Sequence, residues 1–131
     1  MIELILTIVR FCIVGSSGLS IDFIITWILK EKVRINKYLS NSCGFMIAAS
    51  SNYYLNRIWT FNSTTLDITT QYTNFILVSI IGLIINNTLI FVFHNKFNKG
   101  FYLAKIMAII ITTAWNFIAN NFYTFSSQSS L

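Results

Sequence analysis

The chain repeats itself at a spacing of 64 residues: laid on itself in that register, residues 11–63 fall on 75–127 without a gap. Twelve positions are identical, and they include Phe11/Phe75, Gly18/Gly82, Asn52/Asn116, Asn56/Asn120, Thr60/Thr124 and Phe61/Phe125. Two copies of one sequence must fold as two copies of one unit, and the site most open to a ligand is then the seam between them. Duplicated apolar units with polar residues at matched depths are how many membrane transporters are built.

Composition says where the two units sit. Hydrophobic residues make up 55 % of the chain, charged residues 10 %, phenylalanines number 12, and the mean hydropathy is +0.67. A soluble bundle of this length would have too little polar surface to cover itself. Apolar stretches near 8–29, 38–55, 75–93 and 102–122 each approach the roughly 20 residues that cross a bilayer as a helix. The expected fold class is an all-α membrane protein, with four transmembrane helices arranged as two parallel-repeat helical hairpins. Each copy crosses twice, so both enter from the same side. Residues 1–131 read as a single domain, with 30–37 and 94–100 as tight turns and the Thr-rich 62–74 as the linker. The first span lacks the basic start and the small-residue cleavage site of a signal peptide. With no proline in the chain, no helix is expected to be broken by one.

Little here resembles an enzyme. Cys12 and Cys43 fall inside spans and read as small apolar fillers. The single histidine, His94, sits at a helix end and reads as interfacial. There is no Ser-His-Asp or Cys-His set, no carboxylate pair and no glycine-rich phosphate loop. No catalytic residue, metal or cofactor is expected, and no nucleic-acid partner.

The chain does offer a polar seam. Gly15, Gly18, Asp22 and Thr26 share one face of the first helix at spacings of three, four and four. Ser79, Gly82 and Asn86 repeat it on the third. Asn41, Gly44, Ala48 and Asn52 form a stripe on the second, and Lys105, Ala108, Thr112 and Asn116 its copy on the fourth. Close helix packing explains the small residues and some of the amides. It does not explain Asp22, because a carboxylate in mid-span costs about 2.5–3.5 kcal/mol on insertion scales. Three readings stay open for it: an ion pair with Lys105, a substrate- or proton-linked role, or a protonated, hydrogen-bonded group. Lys105 can alternatively extend to the headgroups. At the other membrane face Arg10 opens the first helix and Arg57 closes the second. Their planar forks suit a lipid phosphate, and anchoring to ordinary anionic headgroups is the plainer alternative. Trp59, Phe61, Tyr123 and Phe125 read as an aromatic belt at that face.

These residues carry a family resemblance. Arg10-Phe-Cys-Ile-Val14-Gly15…Gly18…Asp22, with Asn52…Asn56-Arg57-x-Trp59-Thr60-Phe61, resembles the GtrA-like family over about residues 8–126. These are small four-helix bacterial membrane proteins of cell-surface polysaccharide synthesis, also found as the membrane domain of some polyprenol-phosphate sugar synthases. The resemblance implies translocation of an undecaprenyl-phosphate-linked sugar across the cell membrane. It carries over to Arg10, Gly15, Gly18, Asp22, Asn52, Asn56, Arg57, Trp59 and Phe61; Asn121 stands where the second copy would need its own arginine. On this reading Arg10 and Arg57 bind phosphate. Asp22, Asn41, Asn86, Lys105, Asn52 and Asn116 line the sugar path, while Gly82 and Asn120 complete the structural set. The implied partners are the lipid-linked sugar, membrane lipid and a glycosyltransferase, with a homodimer widening a narrow passage. A non-transporting scaffold for a glycosyltransferase is the main alternative, and a proton-coupled small-cation exporter built on Asp22 a further one. Orientation is contested. Lys30, Lys32, Arg34, Lys37, Lys96 and Lys99 crowd the turns, which by the positive-inside rule belong in the cytoplasm. The family's fused cytoplasmic synthases imply cytoplasmic termini instead, and that orientation is taken.

Overall fold

The computed structural model describes residues 1–126, so Ser127, the last position of the second copy, lies outside the described residues. Four helices run α1 (Ile2–Trp27), α2 (Lys37–Leu55), α3 (Ile68–Phe91) and α4 (Phe101–Ala119), and no strand occurs among the described residues. With their final turns, three of them (Ile2–Lys32, Ile68–Lys96 and Phe101–Thr124) are long and apolar enough to cross a membrane. The fourth, α2, has the serines and asparagines of the interior on a less apolar helix. The linker is shorter than its composition suggests. Asp67 caps α3 by accepting the Thr70 amide at 3.1 Å, so residues from Ile68 onward are helical despite their threonines. The hydrogen bonds from Thr70 hold the Asp67 carboxyl below its ordinary value. The cap is therefore complete at neutral pH and is lost only as pH falls through that lowered folded value.

Every helix ends in one π turn, at Ile28–Lys32, Asn56–Thr60, Val92–Lys96 and Asn120–Thr124. Each is closed by an i→i+5 bond, for example Phe61 N–H to Asn56 O and Phe125 N–H to Asn120 O, both 2.9 Å. Left-handed residues then turn the chain at Arg34 (φ 63°), Asn62 (φ 44°) and Asn98 (φ 53°). In the two repeat endings the π turn also holds a side-chain bond. Thr60 Oγ1 donates to Asn56 Oδ1 and Thr124 Oγ1 to Asn120 Oδ1, each at 2.7 Å and buried. The duplicated Asn…Thr-Phe signature thus supplies a buried side-chain bond that braces each of these two turns. Removing either acceptor with Asn56→Ala or Asn120→Ala strands a buried hydroxyl and is expected to cost about 1–3 kcal/mol. Thermal unfolding in detergent measures it; variants as stable as the parent would refute this role for the signature.

The phenylalanine after each signature points inward. Phe61 and Phe125 stack on each other with ring centroids 4.4 Å apart and planes 12° apart. Only Trp59 and Tyr123 stay exposed as a belt, which corrects the expected four-member belt. Residues two apart on a helical turn point to nearly opposite faces, so Phe61 and Phe125 lie across the helix from Trp59 and Tyr123 and meet each other between the hairpins. Since residue 61 is the repeat equivalent of 125, a residue touching its own equivalent marks a near-two-fold axis between the hairpins. Around that end Ala49, Tyr53, Phe75 and Phe125 form one apolar cluster, and Ile90, Phe101, Ala104 and Ala108 form another toward the turns. The two apolar clusters leave the polar residues between them.

Within each hairpin the helices pack closely, α1 on α2 and α3 on α4. Between hairpins α2 packs along α3, whereas the pseudo-equivalent crossing of α1 with α4 is far sparser. Cys12 is exposed on α1 and Cys43 partly exposed on α2, both as free thiols, so neither is the buried filler expected. His94 is half-buried in the turn that ends α3, its Nδ1 2.7 Å from Lys99 O.

Candidate functional site

The two-fold explains how four polar residues from four helices meet. Asp22 and Asn86 are repeat equivalents, and so are Asn41 and Lys105. Lys105 Nζ donates to Asp22 Oδ1 at 3.0 Å, joining α4 to α1. In the equivalent contact, Asn41 Nδ2 donates to Asn86 Oδ1 at 3.1 Å, joining α2 to α3. Lys105 also donates to Asn41 Oδ1, its own equivalent, and this contact marks the axis at the turn end. Thr26 Oγ1 donates to Asp22 Oδ1 at 3.1 Å, and Asn86 Nδ2 to Thr112 Oγ1 at 3.3 Å. Lys105, Asn41 and Asn86 are wholly buried. Of the readings open for the pair, the structure has the ion pair, and Lys105 does not extend to the headgroups. Asp22 lies about 15 Å along α1 from the basic turn at Lys32, at 1.5 Å rise per residue. Asn87, which the sequence reading passed over, joins the network: it accepts from Asn41 at 2.7 Å and donates to Ser42 at 3.0 Å. Two adjacent asparagines in an isoleucine run were the available signal, because side chains 100° apart cannot share one face.

From this quartet a cavity of about 360 Å³ runs between the hairpins toward the chain ends, lined from all four helices. Asp22 and Asn86 border it at one end and Asn56 and Asn120 at the other. Gly15 sits on its wall with open space where a Cβ would be. Asn52 and Asn116, again repeat equivalents, flank it. Each amide lies over the glycine of its hairpin partner: a Cβ on Gly18 would fall 2.3 Å from Asn52 Oδ1, and one on Gly82 2.6 Å from Asn116 Oδ1. The two glycines are therefore there to seat the two amides. Asn52 Oδ1 and Asn116 Oδ1 are buried and have no hydrogen-bond partner among the described residues. A buried acceptor left unpaired costs about 1–3 kcal/mol, and here the same cost occurs twice, at equivalent positions, on one cavity.

Arg57 is not part of that wall. It donates to Ser63 Oγ at 3.3 Å, to Thr65 O at 2.6 Å and to Gln71 Oε1. Gln71, buried and also accepting from Tyr53 at 3.1 Å, was read from sequence as linker. Arg57 therefore straps the linker onto the helix ends. Arg10 is half-buried at the same end of the molecule and forms no ion pair with the described residues.

Fold and site together define a duplicated four-helix, multi-pass membrane protein with a polar cavity between its hairpins. Helices of this length and apolarity place that cavity within the membrane. The chain belongs to the GtrA/DPMS transmembrane domain family, whose family model matches residues 10–125. It is accordingly a membrane component of glycan synthesis. Among curated proteins, none matches it.

Proposed function

We propose that the protein carries a polyprenyl-phosphate-linked sugar from the cytoplasmic to the outer leaflet of the cell membrane, its termini facing the cytoplasm. The observation that carries this reading is the cavity with its two unpaired amide oxygens. Sugar hydroxyls lose their water on entering hydrocarbon, and unpaired polar groups are costly there. Asn52 and Asn116, with Asp22, Asn86, Asn41 and Lys105 behind them, offer replacements for that water. The polyprenyl chain stays in lipid throughout. At the cytoplasmic end Arg10 meets the phosphate, and Arg57 joins it by exchanging its linker partners for phosphate oxygens. On this reading the chain moves its ligand without making or breaking a bond, and a glycosyltransferase supplies or uses the lipid-linked sugar. The exporter alternative asks for a lone membrane carboxylate, whereas Asp22 is paired with Lys105.

Reconstitution tests it. Purified protein is placed in liposomes with a fluorescent short-chain polyprenyl-phosphate hexose, and exposure of the head group to an external reagent is followed. Wild type is expected to accelerate crossing. Asn52→Ala with Asn116→Ala, which removes no bond internal to the protein, is expected to slow it at least about tenfold, the equivalent of 1.4 kcal/mol. Inserted, folded wild type that moves nothing would leave a scaffold for a glycosyltransferase as the better reading.

A further inference from the structure

The two crossings between hairpins are equivalent under the repeat but not alike. The α2–α3 crossing is tightly packed and joined by neutral amides, Asn41 to Asn86 and Asn87. The α1–α4 crossing touches at its two ends and little between. Near the chain ends the rings of Phe11 and Phe117 meet at 5.2 Å. Near the turns Phe23 stacks on Tyr102 at 6.5 Å, and Lys105 bonds to Asp22. Between these two closures the cavity wall includes side chains that are exposed on the outside of the molecule: Cys12, Ser16 and Leu19 on α1, and Ile110 on α4. A residue that both lines a cavity and faces outward lies at its mouth. The mouth is therefore a window in the side of the bundle, at the depth of the hydrocarbon core.

From this geometry we infer that the ligand is a single-chain lipid whose polar head enters the cavity sideways, through the window between α1 and α4, while its chain remains outside among the lipids. This rests on the transport reading above and names the route and the site it uses. Four observations select the occupant. The mouth opens to lipid rather than to water, which excludes a free sugar as the ligand. Its rim is apolar at Leu19 and Ile110, with Leu19 40 % and Ile110 68 % exposed, so a hydrocarbon chain loses nothing by lying on it. Inside, the unpaired Asn52 and Asn116 oxygens ask for hydroxyl or amide donors, which a phospholipid acyl chain does not carry and a sugar head does. The volume of about 360 Å³ lies near the lower end of ligand cavities, which run from about 300 to 1,000 Å³, and suits one sugar rather than an oligosaccharide.

The test places one thiol on the rim in a chain freed of its own, Cys12→Ser with Cys43→Ser. Ser16→Cys reports the window, and Ile84→Cys, exposed on α3 away from the cavity, is the control. Alkylation by a bulky membrane-soluble maleimide is followed in nanodiscs. A short-chain polyprenyl-phosphate hexose is expected to slow alkylation of Ser16→Cys at least tenfold and to leave Ile84→Cys unchanged. The free hexose phosphate is expected to protect neither. Equal protection of both thiols, protection of neither, or protection by the free sugar phosphate would overturn the inference. The liposome assay separates the two proposals. Crossing that continues after Ser16→Cys has been alkylated overturns the window and leaves transport standing. Protection of Ser16→Cys in a protein that moves no lipid supports the window and overturns transport.

Discussion

Lys105→Met is expected to lower the stability of the folded protein by about 3–5 kcal/mol, because it strands the Asp22 carboxylate in the protein interior without its partner. Asp22→Asn is expected to be nearly as harmful, since it leaves the wholly buried Lys105 with an amide where a carboxylate stood. The double variant Asp22→Asn with Lys105→Asn is expected to recover most of the loss. It rebuilds at the α1–α4 crossing the arrangement that the α2–α3 crossing already has, an asparagine donating to an asparagine. Taking out both charges also removes the desolvation penalty of both, which is why such pairs can often be replaced at little cost. Thermal unfolding in detergent, read from the tryptophans, gives the three values and the coupling between the sites. Single variants as stable as wild type would show that the pair holds nothing together. The double variant also separates structure from transport. If it folds and still moves lipid, Asp22 and Lys105 are a clasp between hairpins; if it folds and moves nothing, the charges act on the ligand or on a proton.

A methyl group at Gly44 is expected to be the most damaging of the glycine-to-alanine changes. Its Cβ would lie 2.6 Å from the backbone oxygen of Asp22 and 2.5 Å from Thr26 Oγ1. Backbone cannot step aside, so α1 and α2 must separate where Asp22 and Thr26 are hydrogen-bonded. Overpacking of this kind costs about 1–3 kcal/mol, and here it also disturbs the ion pair. Gly18→Ala and Gly82→Ala meet side-chain amides instead, Asn52 and Asn116, which can swing into the cavity. Those two are expected to keep the fold and impair crossing. Gly15→Ala meets nothing within 4 Å and is expected to be silent in stability. The order Gly44, then Gly18 and Gly82, then Gly15, measured by unfolding in detergent, checks the account; an equal response at Gly44 and Gly15 would refute it.

Much of this was legible in the chain because a bilayer leaves few solutions. Spans of about 20 apolar residues with short polar breaks become helices, since every backbone group in hydrocarbon must be paired. The 64-residue repeat made them two like hairpins, and Asp22 stood out as a mid-span carboxylate with Lys105 as a candidate partner. The roles assigned at the helix ends were harder to read. Phe61 looked like a belt residue because composition records that it is aromatic and near an interface, and says nothing of Phe125, the distant repeat equivalent on which its ring stacks. Arg57 looked like a free phosphate fork because the Ser63, Thr65 and Gln71 groups that engage it are brought back by the linker's path. Gln71 looked like linker for the same reason.

By itself, then, the sequence determined the helices and, through the 64-residue repeat, their pairing into two like hairpins, because periodicity, hydropathy and repetition are read along the chain. Only the tertiary structure decided which of two equivalent crossings closes tightly and which leaves a window. That choice is made by contacts between residues far apart in the chain: Asn41 on Asn86 and Asn87 at one crossing, and Lys105 on Asp22 with Phe11 on Phe117 at the other.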